Sequence, residues 1–569
     1  MTANNCYLPE EFSLDSVENL AQRFQPYSGL YAFRTTSVQL AQKNSLSDQL
    51  AAWVYLPDQT EFSCWSVTLL MPNAEDPRTF LERTGWLEIA DSEKILLFIL
   101  RPGEEGWHYP LTREEFSFLR EMDRAIDKKI GYDAQRFFAY LVGYEEGASA
   151  ALSYSICNPS SYAGLACIGS FDFDQAISSV QDEELELAPY LKKSKVPLPV
   201  AFFCTESASG LESALAHFKL RNQVTDTRWE HNDVSLWLAD QTQRRDSVNA
   251  QNICTITWKN CSTVMASDVW DVLHRTIRTS GVGYGFLHPY RTLGQWNLTE
   301  HSIVVQGYKR SWLEYVPERN VSRVEKRPLV FFFHGNSQTG KSAVYANEWM
   351  NVAESRNFIA CFPTGGMTSR GNTMPVPGWN ASASDTLLDD EAFIRSMVDD
   401  ISSRYAIDKS RIYANGHSMG SAMVQRCAMA MPDLFAAVAS NSGVVCGGNL
   451  GSFDLPGIVE DAVIPVWINM GEHDIGGGTC DANEDIRKTV LYWLNRYGLN
   501  DSNKGEFVSG RYVNTVWSNH SGVPLVRMTT TLDKPHSIMP QDPWLYYDEL
   551  FAHFSREGDR LYYDGRAVE

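Results

Sequence analysis

The stretch Ile412-Tyr413-Ala414-Asn415-Gly416-His417-Ser418-Met419-Gly420-Ser421-Ala422-Met423 decides the fold of the second half of this chain. It is typical of a short buried strand that passes through Gly-x-Ser-x-Gly into a helix, which is the pattern of a nucleophile elbow. Glycines on either side let strand and helix approach closely, and the helix N-terminus favours negative charge that develops near Ser418. Because the pentapeptide alone is common, its meaning depends on partner residues elsewhere in the chain.

The composition predicts a soluble globular protein of more than one domain. A length of 569 residues exceeds what one hydrophobic core usually holds, so we expect two domains. The net charge of -21 argues against nucleic acid or an anionic membrane as a partner. No apolar run is long enough for a membrane span and the N-terminus does not resemble a signal peptide, which favours the cytoplasm. The 11 scattered cysteines lack metal-ligand spacing, and we expect neither a metal nor an organic cofactor.

Two further residues follow the elbow in an informative order. Asp474 lies on the loop after one predicted strand, and His536 lies on the loop after the last predicted strand. The order Ser418, Asp474, His536 is that of nucleophile, acid and general base in hydrolases that carry such an elbow. Glu472 competes for the position of the acid. His520 competes for the position of the base, but it falls in a turn between two predicted strands.

The segment 334–342, His-Gly-Asn-Ser-Gln-Thr-Gly-Lys-Ser, has two interpretations. Gly335 to Ser342 matches the phosphate-binding loop of P-loop nucleotide hydrolases, placed after a strand as required. The same His-Gly at the end of an apolar strand is where serine hydrolases place an oxyanion donor. The next strand ends in Pro363-Thr364-Gly365 rather than in a magnesium-binding aspartate, which favours the second interpretation. We then expect the backbone N–H groups of Asn336 and Met419 to bind an oxyanion.

The first half repeats the pattern of the second half. Residues 143–147, Gly-Tyr-Glu-Glu-Gly, have the spacing of the elbow, with Glu145 where Ser418 stands in the second half. Residues 86–100 align with residues 349–363 without a gap. In both halves strands alternate with helices, which predicts an α/β fold with a mainly parallel sheet.

The residues needed for catalysis are missing from the first half. Pro72 stands at the position of Gly335 and has no N–H to offer an oxyanion. No histidine follows the strand that we take to be the last of the first half, 234–239. We therefore predict a degenerate, catalytically inactive domain at residues 1–248 and a catalytic domain at residues 249–569.

With these residues in place, the second half resembles the poly(3-hydroxybutyrate) depolymerase-like and feruloyl esterase-like α/β-hydrolases. The resemblance covers about residues 300–555 and rests on Asp389-Asp390-x-x-Phe393-Ile394, Tyr405-x-Ile407-Asp408-x-x-Arg411, the elbow, and Gly471-Glu472-x-Asp474. It implies two α/β-hydrolase-like domains, each with a mainly parallel sheet flanked by helices. One departure is Pro535, which stands where that family usually has a glycine before the catalytic histidine.

The expected activity is that of a serine carboxylic-ester hydrolase acting through an acyl-enzyme. The resemblance implies a small or oligomeric ester of a feruloyl, aryl or hydroxyacid group as substrate. Trp379 lies in Pro377-Gly378-Trp379-Asn380, which resembles an aromatic substrate-side loop, and is a candidate substrate-binding residue. His417 is a second candidate and is expected to pack beside the nucleophile rather than to act as a base. The alternatives are a serine peptidase of this fold and a P-loop nucleotide hydrolase using Gly335 to Ser342. The N-terminal copy is a candidate surface for homo-oligomerisation.

Overall fold

A computed structural model describes residues 28–33, 50–60, 64–73, 75–126, 138–185, 188–231, 233–239, 255–279, 286–318, 325–368, 376–382, 387–444, 453 and 455–568. The chain divides into two compact units, residues 1–279 with 284–290 and residues 280–283 with 291–569. None of the helices in the described ranges is long and apolar enough to cross a membrane.

The first unit alternates strands and helices. Its strands are β1 (Gly29–Phe33), β2 (Ala51–Leu56), β3 (Ser66–Leu70), β4 (Leu96–Arg101), β5 (Ala139–Tyr144), β6 (Gly164–Ile168), β7 (Glu184–Leu185), β8 (Ala188–Lys192), β9 (Val200–Cys204), β10 (Val224–His231), β11 (Val234–Ala239), β12 (Thr255–Asn260), β13 (Thr276–Thr279) and β14 (Phe286–Pro289). Its helices are α1 (Pro77–Thr84), α2 (Trp86–Glu93), α3 (Arg113–Ile126), α4 (Glu146–Cys157), α5 (Phe173–Ala176), α6 (Leu211–Asn222) and α7 (Ala266–Leu273).

The second unit has the same alternation. Its strands are β15 (Leu298–Val305), β16 (Tyr308–Tyr315), β17 (Arg327–Phe333), β18 (Ile359–Pro363), β19 (Gly366–Thr368), β20 (Val376–Gly378), β21 (Ile407–His417), β22 (Ala437–Asn441), β23 (Val466–His473), β24 (Lys504–Ser509), β25 (Tyr512–Ser518), β26 (Pro524–Pro535), β27 (Phe554–Glu557), β28 (Arg560–Tyr563) and β29 (Arg566–Ala567). Its helices are α8 (Gly340–Tyr345), α9 (Trp349–Arg356), α10 (Asp390–Arg404), α11 (Met419–Ala430), α12 (Glu484–Arg496) and α13 (Asp542–Glu549).

Each unit is built on one 10-stranded mixed sheet. The first sheet has the order β1-β2-β4-β3-β5-β6-β9-β12-β11-β10, and the second has the order β15-β16-β18-β17-β21-β22-β23-β26-β25-β24. In both sheets the central strands, from β4 to β12 and from β18 to β26, run parallel, whereas the outer pairs at each edge are antiparallel. Counted along the chain, the order and the direction of every neighbouring pair are the same in the two sheets. The predicted α/β fold class is confirmed.

The register of the second sheet brings three strand ends together. Parallel pairing places His417 of β21 opposite Asn441 of β22, and Asn441 lies in turn opposite Asn469 of β23. Near the end of β23, His473 lies opposite Pro535 of β26. Because parallel strands end at the same edge of a sheet, the residues that follow β21, β23 and β26 emerge side by side. These positions hold the serine, the aspartate and the histidine singled out in the sequence.

The core of the second unit explains why β17 and α10 form where they do. All seven residues of β17 are buried, as expected of a central parallel strand covered on both faces. The helix α10 begins after Asp389, whose side chain accepts a hydrogen bond from the backbone N–H of Ala392. Its apolar residues then pack into the core around β17. The core therefore holds the strand that leads into the segment beginning at His334.

The predicted domain boundary at residues 248–249 is wrong in position. The strand β12 lies in the first sheet, where it pairs with β9 and with β11. The first unit therefore extends at least to residue 279. Residues 241–252, which look like a linker in the sequence, lie outside the described residues.

Candidate active site

The nucleophile elbow has the tight geometry that its sequence requires. Ser418 adopts φ 55° and ψ -116°, a conformation that a non-glycine residue takes only when its surroundings enforce it. A Cβ atom added at Gly420 would lie 2.0 Å from the carbonyl oxygen of Phe333, so only glycine fits where α11 meets β17. The backbone N–H of Ser418 donates to the carbonyl of Asn441 at 2.9 Å, which fixes the turn to the end of β22.

A continuous series of hydrogen bonds joins the three predicted catalytic residues. The Nε2 atom of His536 lies 2.9 Å from the Oγ atom of Ser418, and its Nδ1 atom lies 2.6 Å from the Oδ1 atom of Asp474. These residues are separated by 118 and 62 positions along the chain. An imidazole held in this way can accept a proton from the hydroxyl while the carboxylate fixes its tautomer. The structure thus brings together all three residues.

Asp474 is held in its ionised form. Its Oδ1 atom also accepts the backbone N–H of Ile475 at 2.8 Å, and its Oδ2 atom faces the N–H of Gly471 at 3.3 Å. Burial would raise the pKa of Asp474, but the hydrogen bond and charge of His536, the charge of Lys534 and a hydrogen bond to Ser442 together hold it well below its ordinary value. The residue therefore presents a permanent negative charge to the imidazole.

The competing acid and base occupy other positions. The carboxylate of Glu472 accepts the backbone N–H of Asp533 at 2.9 Å, and His520 is exposed in the turn between β25 and β26. Within the described ranges, Glu472, His473 and Asp533 are also the one group of side chains whose ligand atoms could meet at a metal ion. Exposed acidic groups of this kind are common without a metal, and we assign no site there.

The segment after β17 supports an oxyanion-binding role. The N–H of Gly335 is taken by the side chain of Gln338 at 3.0 Å, and the N–H of Ser337 is taken by the carbonyl of Pro377 at 2.8 Å. Among the described hydrogen bonds, none uses the backbone N–H of Asn336 or Met419. Gly335 lies against the nucleophile, since a Cβ atom built on it would lie 3.4 Å from that of Ser418. The position of Asn336 next to it is therefore compatible with the predicted oxyanion hole.

The same contacts argue against a phosphate-binding loop. Four backbone N–H groups of this segment already donate hydrogen bonds within the protein. That of Gln338 donates to the carbonyl of Gly335, and that of Gly340 donates to the hydroxyl of Thr364. The N–H groups of Thr339 and Ser342 each donate to the side-chain hydroxyl of the other residue. A P-loop instead leaves its backbone N–H groups free to surround the phosphates. The Gly-Lys-Ser of this chain begins the short helix α8, where Thr339 and Ser342 cap each other.

His334 supports this segment from within the core. Its Nε2 atom accepts the N–H of Gly365 at 2.9 Å, and its Nδ1 atom lies 2.7 Å from the carbonyl oxygen of Gly335. Burial lowers the pKa of His334 to about 4. The imidazole is therefore neutral near pH 7, with one nitrogen donating and the other accepting.

The two predicted substrate-binding residues are buried. Trp379 is 1% exposed, and its indole N–H donates to the carbonyl of His334 at 2.8 Å. Contrary to the predicted substrate-binding role of Trp379, neither face of its ring is open; the residue instead supports the segment that carries Asn336. His417 is 7% exposed and packs against His536, with ring centroids 5.0 Å apart. Burial, together with the charges of His536 and Lys534, lowers the pKa of His417 well below its ordinary value. His417 is therefore a neutral packing residue.

The first unit has an elbow of the same backbone shape. Glu145 adopts φ 49° and ψ -120°, close to the values of Ser418. Its carboxylate accepts hydrogen bonds from the N–H and the hydroxyl of Ser170, both at 2.6 Å. The indole N–H of Trp107 donates to the carbonyl of Met71 at 2.7 Å, as that of Trp379 does to His334 in the second unit.

The sequence analysis missed Asn441 and Lys534. Asn441 is the last residue of an ordinary buried strand, and in the sequence Lys534 looks like a solvated charge near the end of a strand. The signal available in the sequence was position: Asn441 ends the first strand after the elbow, and Lys534 lies two residues before His536. Both lie in a buried polar network behind the site.

Comparison with known proteins points to one family for part of the chain. Residues 311–455 match the family model described as Esterase PHB depolymerase. Poly(3-hydroxyalkanoate) depolymerase C of Paucimonas lemoignei is 27% identical over 237 residues, which cover 38% of this chain and 56% of that protein. Probable acetylxylan esterase A of Aspergillus flavus is 27% identical over 134 residues, which cover 22% of this chain and 41% of that protein.

Among solved structures, an acetyl xylan esterase from Aspergillus awamori is 18% identical, with a TM-score of 0.34, and the match covers 45% of this chain and 99% of that chain. The chain spans about half, or less, of the length of the curated relatives that it matches. The predicted resemblance is confirmed for the C-terminal part, in which residues 311–455 match this family model.

Proposed function

We propose that this protein is a serine carboxylic-ester hydrolase that forms an acyl-enzyme on Ser418. The hydrogen-bonded series from Ser418 through His536 to Asp474 carries the proposal. The esterase domain at residues 311–455 and the relatives named as esterases and as a depolymerase support the same reaction class.

In the first half of the reaction, the Oγ atom of Ser418 attacks the ester carbonyl carbon. The Nε2 atom of His536 takes the hydroxyl proton, and the carboxylate of Asp474 stabilises the imidazolium that forms. The negative charge that develops on the carbonyl oxygen is met by the backbone N–H groups of Met419 and Asn336. The imidazolium then gives its proton to the leaving alcohol, and the ester bond breaks.

In the second half, water takes the place of the alcohol. His536 removes a proton from the water as it attacks the acyl carbon, and the same two N–H groups stabilise the second oxyanion. The acid product leaves when the proton returns to Ser418 Oγ.

We favour an aliphatic acyl group, such as acetate or a 3-hydroxyacid, over a hydroxycinnamate. Trp379, the aromatic residue predicted to bind substrate, has its ring enclosed by Phe333 and His334 and offers no open face to a hydroxycinnamate. Two relatives carry names that refer to poly(3-hydroxyalkanoate) and to acetylated xylan.

The test is a substrate panel of p-nitrophenyl acetate, a feruloyl ester, 3-hydroxybutyrate oligomers and a peptide p-nitroanilide. We expect the wild type to hydrolyse the acetate and the oligomers, and Ser418→Ala to lose this activity. Ser396→Ala is the matched control, because the hydrogen bond described for that hydroxyl lies within α10, where it donates to the carbonyl of Ala392. Faster cleavage of the anilide than of every ester would indicate a peptidase instead.

We further propose that the first unit is a catalytically silent copy of the second. The shared sheet order and the shared elbow geometry support a common origin. A carboxylate on Glu145 that already accepts two hydrogen bonds from Ser170 is a poor nucleophile. The last strand of the first sheet is β12 rather than 234–239, and the residues after it, 261–265, also contain no histidine.

A further inference from the structure

A lysine is buried directly behind the candidate active site. Lys534 lies near the end of β26, two residues before His536, and its side chain is 0% exposed. The Nζ atom donates a hydrogen bond to the Oδ1 atom of Asn441 at 2.8 Å. Burying an ammonium group costs more free energy than burying an apolar side chain of the same volume, so the position calls for an explanation.

The contacts of Lys534 close a ring around the site. The side chain of Asn441 accepts a hydrogen bond from the Lys534 ammonium. The backbone carbonyl of Asn441 accepts a second hydrogen bond, from the N–H of Ser418, at 2.9 Å. Along the chain, one residue separates Lys534 from His536. The Nε2 atom of His536 lies 2.9 Å from the Oγ atom of Ser418, which closes the ring. The lysine thus links the strand that carries the base to the strand end that holds the nucleophile.

Lys534 forms a buried ion pair with Asp542, but the two side chains are not in direct hydrogen-bond contact. Asp542 is fully buried and lies 3.7 Å from the Lys534 Nζ atom, beyond hydrogen-bond distance. Its carboxylate is already bonded by the side chain of Asn441, by the hydroxyl of Tyr512 at 3.1 Å and by the N–H of Met539 at 2.9 Å. Among the described residues, the ammonium donates its hydrogen bond to Asn441.

The lysine also acts electrostatically on the acid. Its positive charge is one of the groups that hold the pKa of Asp474 below its ordinary value. Burial lowers the pKa of Lys534, whereas the negative charges of Asp542 and Asp474 oppose this shift. The ammonium therefore interacts with one carboxylate of the candidate site and with one carboxylate outside it.

We propose that Lys534 is a positioning residue: its ammonium fixes the strand that carries His536 against Asn441 and places a positive charge behind Asp474. This inference rests on the proposed function, since it concerns the reactivity of Ser418. It assigns Lys534 an effect on the rate of the chemical step and none on substrate binding.

The test separates positioning from simple charge balance. Lys534→Met alone leaves Asp542 as an uncompensated buried charge, and we expect it to lower the thermal unfolding midpoint. Lys534→Met/Asp542→Asn removes both charges, and we expect a midpoint near that of the wild type. The matched control is Arg404→Met/Glu314→Gln, which removes a salt bridge to another fully buried carboxylate.

Two rates are measured for each variant: phosphonylation of Ser418 by a fluorophosphonate, and turnover of p-nitrophenyl acetate. For Lys534→Met/Asp542→Asn we expect both the phosphonylation rate and kcat to fall by about 10- to 100-fold with KM unchanged, because a base displaced by a fraction of an ångström loses its alignment. The control pair is expected to react at the wild-type rate.

A double variant that is as stable and as fast as the wild type would overturn the inference and leave the proposed function standing. A wild type that neither reacts with the fluorophosphonate nor turns over any ester would count against both. Should Lys534→Met/Asp542→Asn fail to fold, Lys534→Gln/Asp542→Asn takes its place. This variant keeps a hydrogen-bond donor toward Asn441, so comparing its two rates with those of the wild type tests the effect of the lysine charge alone. Wild-type rates in that folded variant would contradict the electrostatic part of the proposal.

Discussion

Replacing Asp474 by asparagine tests how the acid acts on the base. The Oδ1 atom accepts hydrogen bonds from His536 and Ile475 at 2.6 and 2.8 Å, whereas Oδ2 faces the N–H of Gly471 at 3.3 Å. An asparagine keeps the two short bonds if its amide oxygen takes the Oδ1 position, and of these three contacts the longest is then lost. The opposite orientation would set an NH2 group against the N–H groups of both Ile475 and His536. We therefore expect Asp474→Asn to preserve the tautomer of His536.

What the asparagine loses is the negative charge. Two unit charges about 4 Å apart at an effective dielectric constant of about 20 interact by about 4 kcal/mol. If this interaction is lost in the transition state, kcat falls by about 10³-fold. Asp474→Ala also loses the orientation of the imidazole, and we expect its kcat to fall by about 10⁴-fold or more.

The assay is turnover of p-nitrophenyl acetate at saturating substrate. The asparagine variant should be faster than the alanine variant by about tenfold or more, and Glu472→Gln, which can still accept the N–H of Asp533, should match the wild type. An Asp474→Asn variant as slow as Asp474→Ala would refute the argument about orientation. A large loss in Glu472→Gln would mean that the acid has been misassigned.

Three further outcomes are expected. Trp379→Phe and Trp107→Phe each leave a buried carbonyl without its donor and should each cost about 1–3 kcal/mol of unfolding free energy. Trp379→Phe should also lower kcat by about tenfold, whereas Trp107→Phe should not. Equal kcat values in the two variants would contradict the role given to Trp379. Glu145→Gln should leave kcat unchanged, and a large loss would show that the first unit takes part in catalysis. Burial lowers the pKa of His334 from 6.5 to about 4, so the unfolded chain binds more protons between these values. The unfolding free energy should then fall by about 3 kcal/mol as pH drops from 6.5 to 4, and denaturant titrations of His334→Gln should lack that component.

The triad could be predicted because its geometry follows from topology. Ser418, Asp474 and His536 each follow a strand, and the carboxyl ends of neighbouring parallel strands share one edge of a sheet. Once the elbow identified β21 as a central strand, the order of the remaining residues placed the acid and the base beside it. The order of the three residues along the chain was therefore enough to predict that they lie together in the structure.

The place of β12 could not be predicted from local pattern. Its alternation indicates a strand, but the partners that decide its sheet lie at residues 200–204 and 234–238. The polar stretch at 241–252 resembles a linker, and the predicted boundary at 248–249 places the strand after it in the second half. Pairing over such separations depends on the fit of whole sheets, which a window of sequence does not contain.

Trp379 and Lys534 show the same limit for single side chains. The tryptophan stands in a Pro-Gly loop that suggests a surface, but its N–H satisfies the carbonyl of His334 in the core. The lysine follows an aspartate near a proline and suggests a solvated loop, but β26 continues to Pro535 and a buried asparagine receives the ammonium. In both cases burial is decided by a partner that is remote in sequence.

The most direct test of the account is to locate the acyl group during turnover. Wild-type protein is mixed with p-nitrophenyl acetate, quenched in acid within the first turnover and analysed by peptide mass spectrometry. We expect one acetyl group on Ser418, and no acetylated peptide from Ser418→Ala. Acetylation at a different residue, or undiminished ester hydrolysis by Ser418→Ala, would contradict the claim that Ser418 is the nucleophile.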